Sequence, residues 1–509
     1  MTENKIAPSI AKRAGIGGVA VLGAKVFFIL SGFVQNALLP RFIGRASYGA
    51  LALVLAPANI VNNVVVAGST QSASRAVAGA PGNEDAAQRA AMRVHVPLAL
   101  AAGILFAIAA VPISRFEHAP YIAAPLMAMS AVVLFYGLYA PLVGVLNGRG
   151  LFVRQAMLDT IFATMRTAGL LGVGWLFLRA GRSGALGSTV GFALAALAIA
   201  TIASLMVRVK TTPKAADVLS GARYFAVLVP LAVAQFFTNA LMQVDIMLLG
   251  RFLHEAGPAN ESDEWVAAYR ACQLFAFLPY QLLLSLTQIL FPMLARAKAE
   301  GDASGVREYV ARGARLGAIA GGMMVSVIAG MPETAIRFAY DADTAARGAS
   351  TLRILALGQG AFAMLGIGCT VLSSLGRERV SATLTALAAA SAAGVCAIVV
   401  PMQGFGEAQL HGTALSMAIV LVIALAACAV IVSRVAGSFV PLATAARVAI
   451  ALAIAVAVGT RIPAVSRVLA PVVGLTLAAA YGVVLVVTGE IRAADLRWIR
   501  GALSRARSS

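Results

Sequence analysis

Charge is scarce in this chain of 509 residues: Asp, Glu, Lys and Arg make up 12% of it, against 60% hydrophobic residues. Soluble domains carry roughly a quarter charged residues, so a water-soluble globule is excluded and a polytopic membrane protein is indicated. Acidic residues are the rarer sign, 21 Asp and Glu against 40 Lys and Arg, for a net charge of +19. Cysteine is limited to Cys272, Cys369, Cys396 and Cys428, all inside or beside apolar runs and none with C-x-x-C spacing. That pattern argues against a disulfide framework and a zinc site. The four histidines, His95, His118, His254 and His411, are scattered singly, mostly near the ends of apolar runs, and read as interfacial residues. No metal and no cofactor is expected. Strands of alternating polarity are missing, which leaves a helical bundle as the way across a bilayer. A Walker motif is missing as well, so the chain does not burn ATP by itself. Nor are there outer loops large enough to hold a catalytic centre, and the chain is not read as an enzyme.

What is present is a series of fourteen apolar runs, each near the ~20 residues that a spanning helix needs. They cover 14–39, 48–68, 92–112, 121–146, 155–178, 186–207, 224–250, 265–294, 313–332, 351–375, 380–401, 411–433, 441–459 and 468–488. The first is too long for a signal-peptide core and no A-x-A site follows it, so it is expected to stay as the first helix. With a cytoplasmic N-terminus, the inner termini and loops hold 26 of the 40 Lys and Arg, the outer loops hold 11, and Lys25, Arg166 and Arg270 complete the set. The asymmetry follows the positive-inside rule and places both termini in the cytoplasm. Basic residues so placed fix topology and meet an anionic inner leaflet, with no nucleic-acid partner required.

The expected fold is an all-α membrane protein with two six-helix lobes related by a pseudo-twofold axis, plus two C-terminal helices. The lobes are read as 1–210 and 221–433, divided by a polar, basic linker at 208–223, with 441–509 as extra helices and tail. An internal repeat supports the division: Leu38-Leu39-Pro40-Arg41-Phe42-Ile43 closes the first run and Leu248-Leu249-Gly250-Arg251-Phe252-Leu253 the seventh. Such repeats form lobes that rock around a site between them. Gly317-x-x-x-Gly321 predicts a close helix contact. Ile491–Leu503, Arg-rich with Trp498, predicts an amphipathic helix on the inner surface.

Lys25, Asp159, Arg166, Asp245 and Arg270 are ionisable residues stranded inside the runs. A charge at bilayer depth costs at least ~2.5–3.5 kcal/mol on insertion scales, so it faces a bundle interior or a watery path. Three of the five are basic, which predicts a cavity suited to an anion. Asn36 lies almost in the same helical direction as Lys25; Asp159 and Arg166 share a face two turns apart; Gln235, Asn239 and Gln243 form a stripe at i, i+4 and i+8. Further polar positions are Asn59, Asn62 and Asn63 after Pro57, and Gln281 with Gln288. Lys25, Asn36, Arg166, Gln235, Asn239, Gln243 and Arg270 are the candidate substrate contacts, and Asp159 and Asp245 are gate or ion-pair candidates. The plainer alternatives are an Asp159–Arg166 pair, an Asp245–Arg270 surface bridge, and amide stripes that merely join helices.

Several stretches resemble the polysaccharide flippase branch of the multidrug/oligosaccharidyl-lipid/polysaccharide exporter superfamily. They are Leu39-Pro40-Arg41-Phe42-Ile43-Gly44 with Tyr48-Gly49, the segment Gln243-Val244-Asp245-Ile246-Met247-Leu248-Leu249-Gly250, Tyr269 with Leu278-Pro279, Phe291-Pro292, and Leu375-Gly376-Arg377. The resemblance implies an alternating-access flippase that moves a lipid-linked pyrophosphate oligosaccharide across a bacterial inner membrane for surface polysaccharide. It implies as partners a lipid-linked saccharide, the bilayer and polysaccharide-assembly proteins. Fourteen spans also resemble the peptidoglycan-precursor flippases, although the second run here offers Asn59, Asn62 and Asn63 where that subgroup has arginine. A multidrug or cation antiporter of the same superfamily would need an acidic cavity. A membrane glycosyltransferase or polysaccharide polymerase would need sizeable outer loops.

Overall fold

Sixteen α-helices make up the described part of the computed structural model, residues 6–207 and 221–491, and no strand occurs among those residues. The linker 208–220 and the segment from residue 492 on, where an amphipathic helix is expected, lie outside them, as does the side chain of Gln288. Among the described residues thirteen helices are long and apolar enough to cross a membrane, so the chain is a multi-pass membrane protein. The helices that follow group into two compact units, one up to Arg270 and one from Ala271 onward.

The eighth of the fourteen expected runs, 265–294, is divided. It falls on α8 (Ala259–Ala276) and α9 (Leu278–Ala299), which meet at Phe277, and neither half qualifies as a span alone. The cause is local: Pro279 sits in the first turn of α9 and has no N–H to give the carbonyl four residues back. Backbone bonds continue around the break, from Phe277 N–H to Gln273 at 3.0 Å and from Gln281 N–H to Phe277 at 3.1 Å.

The first unit contains α1 (Ile6–Ile43), α2 (Arg45–Ala78), α3 (Glu84–Phe116), a 3-10 turn at Pro120–Ile122, α4 (Ala123–Gly148), α5 (Phe152–Arg179), α6 (Gly184–Met206), α7 (Gly221–Ala256) and most of α8. Here α2 packs on α4 and α7, α1 on α5, and α5 on α6. Association inside a bilayer gains little from hydrophobicity, because lipid tails are as apolar as leucine, so close van der Waals approach decides which faces meet. Gly169 and Gly191 show it: a β-carbon on either would overlap the other's carbonyl, and α5 and α6 touch backbone to backbone. Side chains such as Leu105 (65% exposed) and Ile108 (66%) point outward from α3, as a lipid-facing surface requires.

The second unit holds α9, α10 (Ala303–Gly330), α11 (Pro332–Ala339), α12 (Ala342–Ser374), α13 (Glu378–Val399), α14 (Glu407–Ala436), α15 (Leu442–Gly459) and α16 (Ala470–Val487). Gly317 and Gly321 open α10 to Ile367 of α12 and Leu283 of α9. The two tail helices dock on the other side of α10. Gly459 lies against the backbone of Gly330, and the Tyr481 hydroxyl donates to the Ile319 carbonyl at 3.2 Å. At one end Glu490, almost buried, accepts from Arg315 (2.6 Å), Thr444 (2.8 Å) and Arg447 (3.0 Å). That carboxylate joins α10, α15 and the end of α16.

Candidate functional site

Within the first unit, α1 and α5 bring most of the stranded charges together. Arg166 donates from Nε to Gln35 Oε1 at 3.2 Å, and its guanidinium lies over the Phe28 ring at 4.7 Å and near Phe192 at 6.0 Å. Tyr136 of α4 is a further hydrogen-bond partner of the guanidinium. The hydroxyls of Ser31 and Thr167 are 2.9 Å apart beside it, and Thr167 donates to Gln35 at 3.5 Å. Gly32 stands opposite: a β-carbon there would meet an Arg166 nitrogen at 3.6 Å, an ordinary van der Waals contact.

Asp159, two turns earlier on α5, has a separate set of partners. Its Oδ1 accepts from the Tyr139 hydroxyl at 3.2 Å, Gln155 hydrogen-bonds it, and the ammonium of Lys25, exposed on α1, lies within electrostatic reach. Asp159 and Arg166 therefore do not pair with each other, although they share a helix face. α1 carries no carboxylate near Lys25; packing of α1 on α5 supplies one from a neighbour.

A second polar seam joins α2 to α7. Asn63 donates to Asn239 Oδ1 at 2.6 Å, and Asn239 donates to the Gln235 carbonyl at 2.8 Å and to its Oε1 at 3.4 Å. Asn62 and Gln243 are buried beside it, and Asn62 Oδ1 and Gln243 Oε1 accept no hydrogen bond among the described residues.

Two candidates are engaged locally. Asn36 donates to the Gly32 carbonyl at 2.8 Å and accepts from Tyr48 at 3.2 Å, which ties α1 to α2. Asp245, fully buried, accepts from Tyr269 at 2.8 Å and from the Ile246 N–H at 2.8 Å. Arg270 follows Tyr269 on α8 and is half-buried. His95, one of the histidines near a run's end, is 1% exposed and bonded to Ser69 at 3.1 Å. Among the described residues no three His, Cys, Asp or Glu side chains gather as a metal site.

Gln35, Tyr136, Tyr139 and Gln155 escaped the sequence reading. Gln35 had a signal, since Ser31 and Gln35 form an i, i+4 polar pair in an apolar run. The tyrosines had none, because an aromatic in an apolar run reads as packing.

A family model described as "polysaccharide biosynthesis protein" matches residues 17–298, and one described as MatE matches residues 230–399. No curated protein matches the chain. Among solved structures, the chain is similar to the lipid II flippase MurJ in an inward closed conformation, with 14% identity and a TM-score of 0.70 over 91% of this chain and 98% of that one. It is also similar to an inward-facing multidrug resistance MATE family transporter of the MOP superfamily, with 14% identity and a TM-score of 0.64 over 82% and 98%. A third likeness is to a MOP superfamily transporter from Pyrococcus furiosus, described as having a binding pocket of reverse polarity, with 15% identity and a TM-score of 0.57 over 84% and 95%. At these identities the likeness establishes the fold, which is that of MOP-superfamily transporters.

Proposed function

The chain belongs to the polysaccharide biosynthesis protein family, and on that premise we propose that it is an alternating-access flippase. Its cargo on this reading is a lipid-linked oligosaccharide with a pyrophosphate, moved from the cytoplasmic to the outer leaflet of a bacterial inner membrane for surface polysaccharide. The head group travels inside the protein and the lipid tail stays in the bilayer. Both termini are cytoplasmic, and polysaccharide-assembly proteins receive the product.

The observation that carries this reading is the set of partners around Arg166. Gln35, Tyr136, Phe28 and Phe192 are all uncharged. Among the described residues they position the guanidinium without neutralising it, so a positive charge is held inside apolar helices. A pyrophosphate cannot cross hydrocarbon without compensation, and a guanidinium offers it charge-assisted, bidentate hydrogen bonds. Lys25 adds a second cation on α1, and the amides of Asn62 and Gln243 supply uncharged partners for sugar hydroxyls. A site for cationic drugs would need an excess of carboxylates instead.

The test is flipping of a fluorescent lipid-linked pyrophosphate oligosaccharide in reconstituted vesicles. Arg166→Ala should abolish it at normal protein abundance, and Arg166→Lys should retain part. Undiminished flipping by Arg166→Ala would refute the reading.

A peptidoglycan-precursor flippase is the second reading, favoured by α15 and α16, which extend the chain beyond twelve spans. Parallel assays with a peptidoglycan precursor and with an undecaprenyl-linked oligosaccharide lacking the peptide separate the two.

A further inference from the structure

At one end of the first unit a set of titratable groups is packed more tightly than sequence positions suggest. The basic-residue asymmetry places this end at the outer face. Here α3 turns into α4 and α7 turns into α8. Glu117 caps α3, and His118, in the left-handed region at φ +53°, reverses the chain toward the 3-10 turn. Glu117 is fully buried, and neither carboxylate oxygen accepts a hydrogen bond among the described residues. The α7 backbone lies over it, so that a β-carbon on Gly250 would stand 3.0 Å from Oε2. Arg251, the nearby cation, is turned to Phe116: it donates to that carbonyl at 3.1 Å and covers its ring at 4.6 Å. Burial outweighs the pull of Arg251 and lifts the Glu117 carboxyl well above the usual range.

Beside it, Tyr121 joins two buried groups. Its hydroxyl is 2.7 Å from Asp263 Oδ2 and 2.8 Å from His254 Nε2, while His254 Nε2 is 3.3 Å from Asp263 Oδ1. His254 Nδ1 lies 2.7 Å from the Gly250 carbonyl. The side chains of His254 and Asp263 are 1% and 7% exposed, whereas Tyr121 is 45% exposed and leads to solvent.

Proton counting constrains this cluster. A carbonyl only accepts, so Nδ1 bears a hydrogen. The Tyr121 hydroxyl has one proton for two neighbours. If it goes to Asp263, Nε2 must donate and His254 is an imidazolium. If it goes to His254, Asp263 must be the protonated carboxylic acid. Either arrangement holds one proton more than a neutral histidine with an ionised aspartate. Without that proton two acceptors face each other at hydrogen-bond distance, and the contact is repulsive. The groups that face the cluster are Tyr121 from the 3-10 turn, Glu117 from the end of α3, Arg251 from α7 itself and Asp263 from α8. From α2 come the Gly49 backbone, whose β-carbon would overlap the Asp263 carbonyl, and Leu53, which touches Gly250.

We propose that His254, Tyr121 and Asp263, with Glu117 beside them, form a proton-binding site that closes the outer end of this unit, so that proton uptake holds α7 and α8 against α2 and proton loss lets them part. The inference rests on the alternating-access reading for its role in transport. Both parts act with one sign: acid favours closure and alkali favours opening.

The experiment measures distances between spin labels at Arg115→Cys and Glu261→Cys, two exposed positions on either side of the cluster, in full-length protein whose four native cysteines are replaced by alanine. Samples in lipid nanodiscs are compared at about pH 5.5 and about pH 8.5, on either side of the ordinary imidazole range. The expected result is a short distance in acid and a longer population in alkali, with no pH response in the Glu117→Gln, His254→Gln double variant. Tyr121→Phe preserves packing and removes only the shared hydroxyl; it should shift the transition to lower pH. A single distance at both pH values in the parent protein, or a full pH response in the double variant or an unshifted one in Tyr121→Phe, would overturn the proposal. Because no substrate is present, failure to flip a saccharide lipid would strike the proposed function and leave this result standing.

Discussion

Arg166 reaches from α5 to Gln35 on α1, Nε to Oε1 at 3.2 Å, and leaves Asp159 of its own helix to Tyr139. A cation and an anion two turns apart on one face are thus kept separate by neutral partners. In the proposed flippase, an incoming anion would meet Arg166 with no preformed Asp159–Arg166 pair to break first.

Gln35→Leu should therefore weaken transport without removing the cation. It takes away the hydrogen bond that orients Arg166, and a hydrogen bond to a charged group contributes about 1.5–3 kcal/mol. Binding of the pyrophosphate lipid should fall by roughly tenfold or more. Affinity measured by lipid-competition binding checks it, and an unchanged affinity would assign Gln35 to packing alone.

Glu490 should make the docking of α15 and α16 sensitive to acid. Burial raises its affinity for a proton, but hydrogen bonds from Arg315, Thr444 and Arg447 outweigh that and hold the carboxyl below the ordinary glutamate range. A depressed folded-state value means that the stabilisation is present above the unfolded value and is lost as pH falls through the folded one. Thermal unfolding below about pH 4.3, the ordinary glutamate value, should show Tm falling in the wild type. Glu490→Gln should start lower, by about 1–3 kcal/mol, and show a weaker fall. Parallel curves for the two proteins would rule out this role.

Asp245 and Tyr269 form a buried link between α7 and α8. Tyr269→Phe leaves Asp245 short of one donor and should destabilise the protein by about 1–3 kcal/mol. We also propose that Asp245 and Arg270 act as a gate pair. Asp245→Arg and Arg270→Asp should each impair transport, and the double exchange should recover part of it. A double exchange no better than either single change, in folded and inserted protein, refutes the pairing.

Topology is open to direct measurement. Reporter fusions after Arg182 and Glu407 should signal the outer face, and those after Lys214 and Arg377 the cytoplasm. An outer-face signal at Lys214 would invert the proposed orientation and the assignment of the Glu117 end with it.

Gly49→Val should disturb the outer end selectively. A side chain there collides with the Asp263 carbonyl, and overpacking of this kind costs about 1–3 kcal/mol. The label pair at residues 115 and 261 should then report the longer distance even in acid.

The spanning helices were legible in the sequence because the bilayer sets a length and forbids unpaired backbone groups, so apolar runs of fitting length can be little else. The break between α8 and α9 was written there too, in Leu278-Pro279, yet an unbroken apolar run concealed it. Lys25, Arg166 and Asp159 stood out by their rarity alone. Their partners did not. Whether Arg166 meets Asp159 on its own helix or Gln35 on another depends on the depth and rotation at which α1 packs on α5. The same holds for Glu117, His254 and Asp263, which lie far apart along the chain and look like ordinary interfacial residues. Only when α3, α7 and α8 converge does burial remove their water and make each proton count, since desolvation acts on a position in space that no spacing along the sequence records.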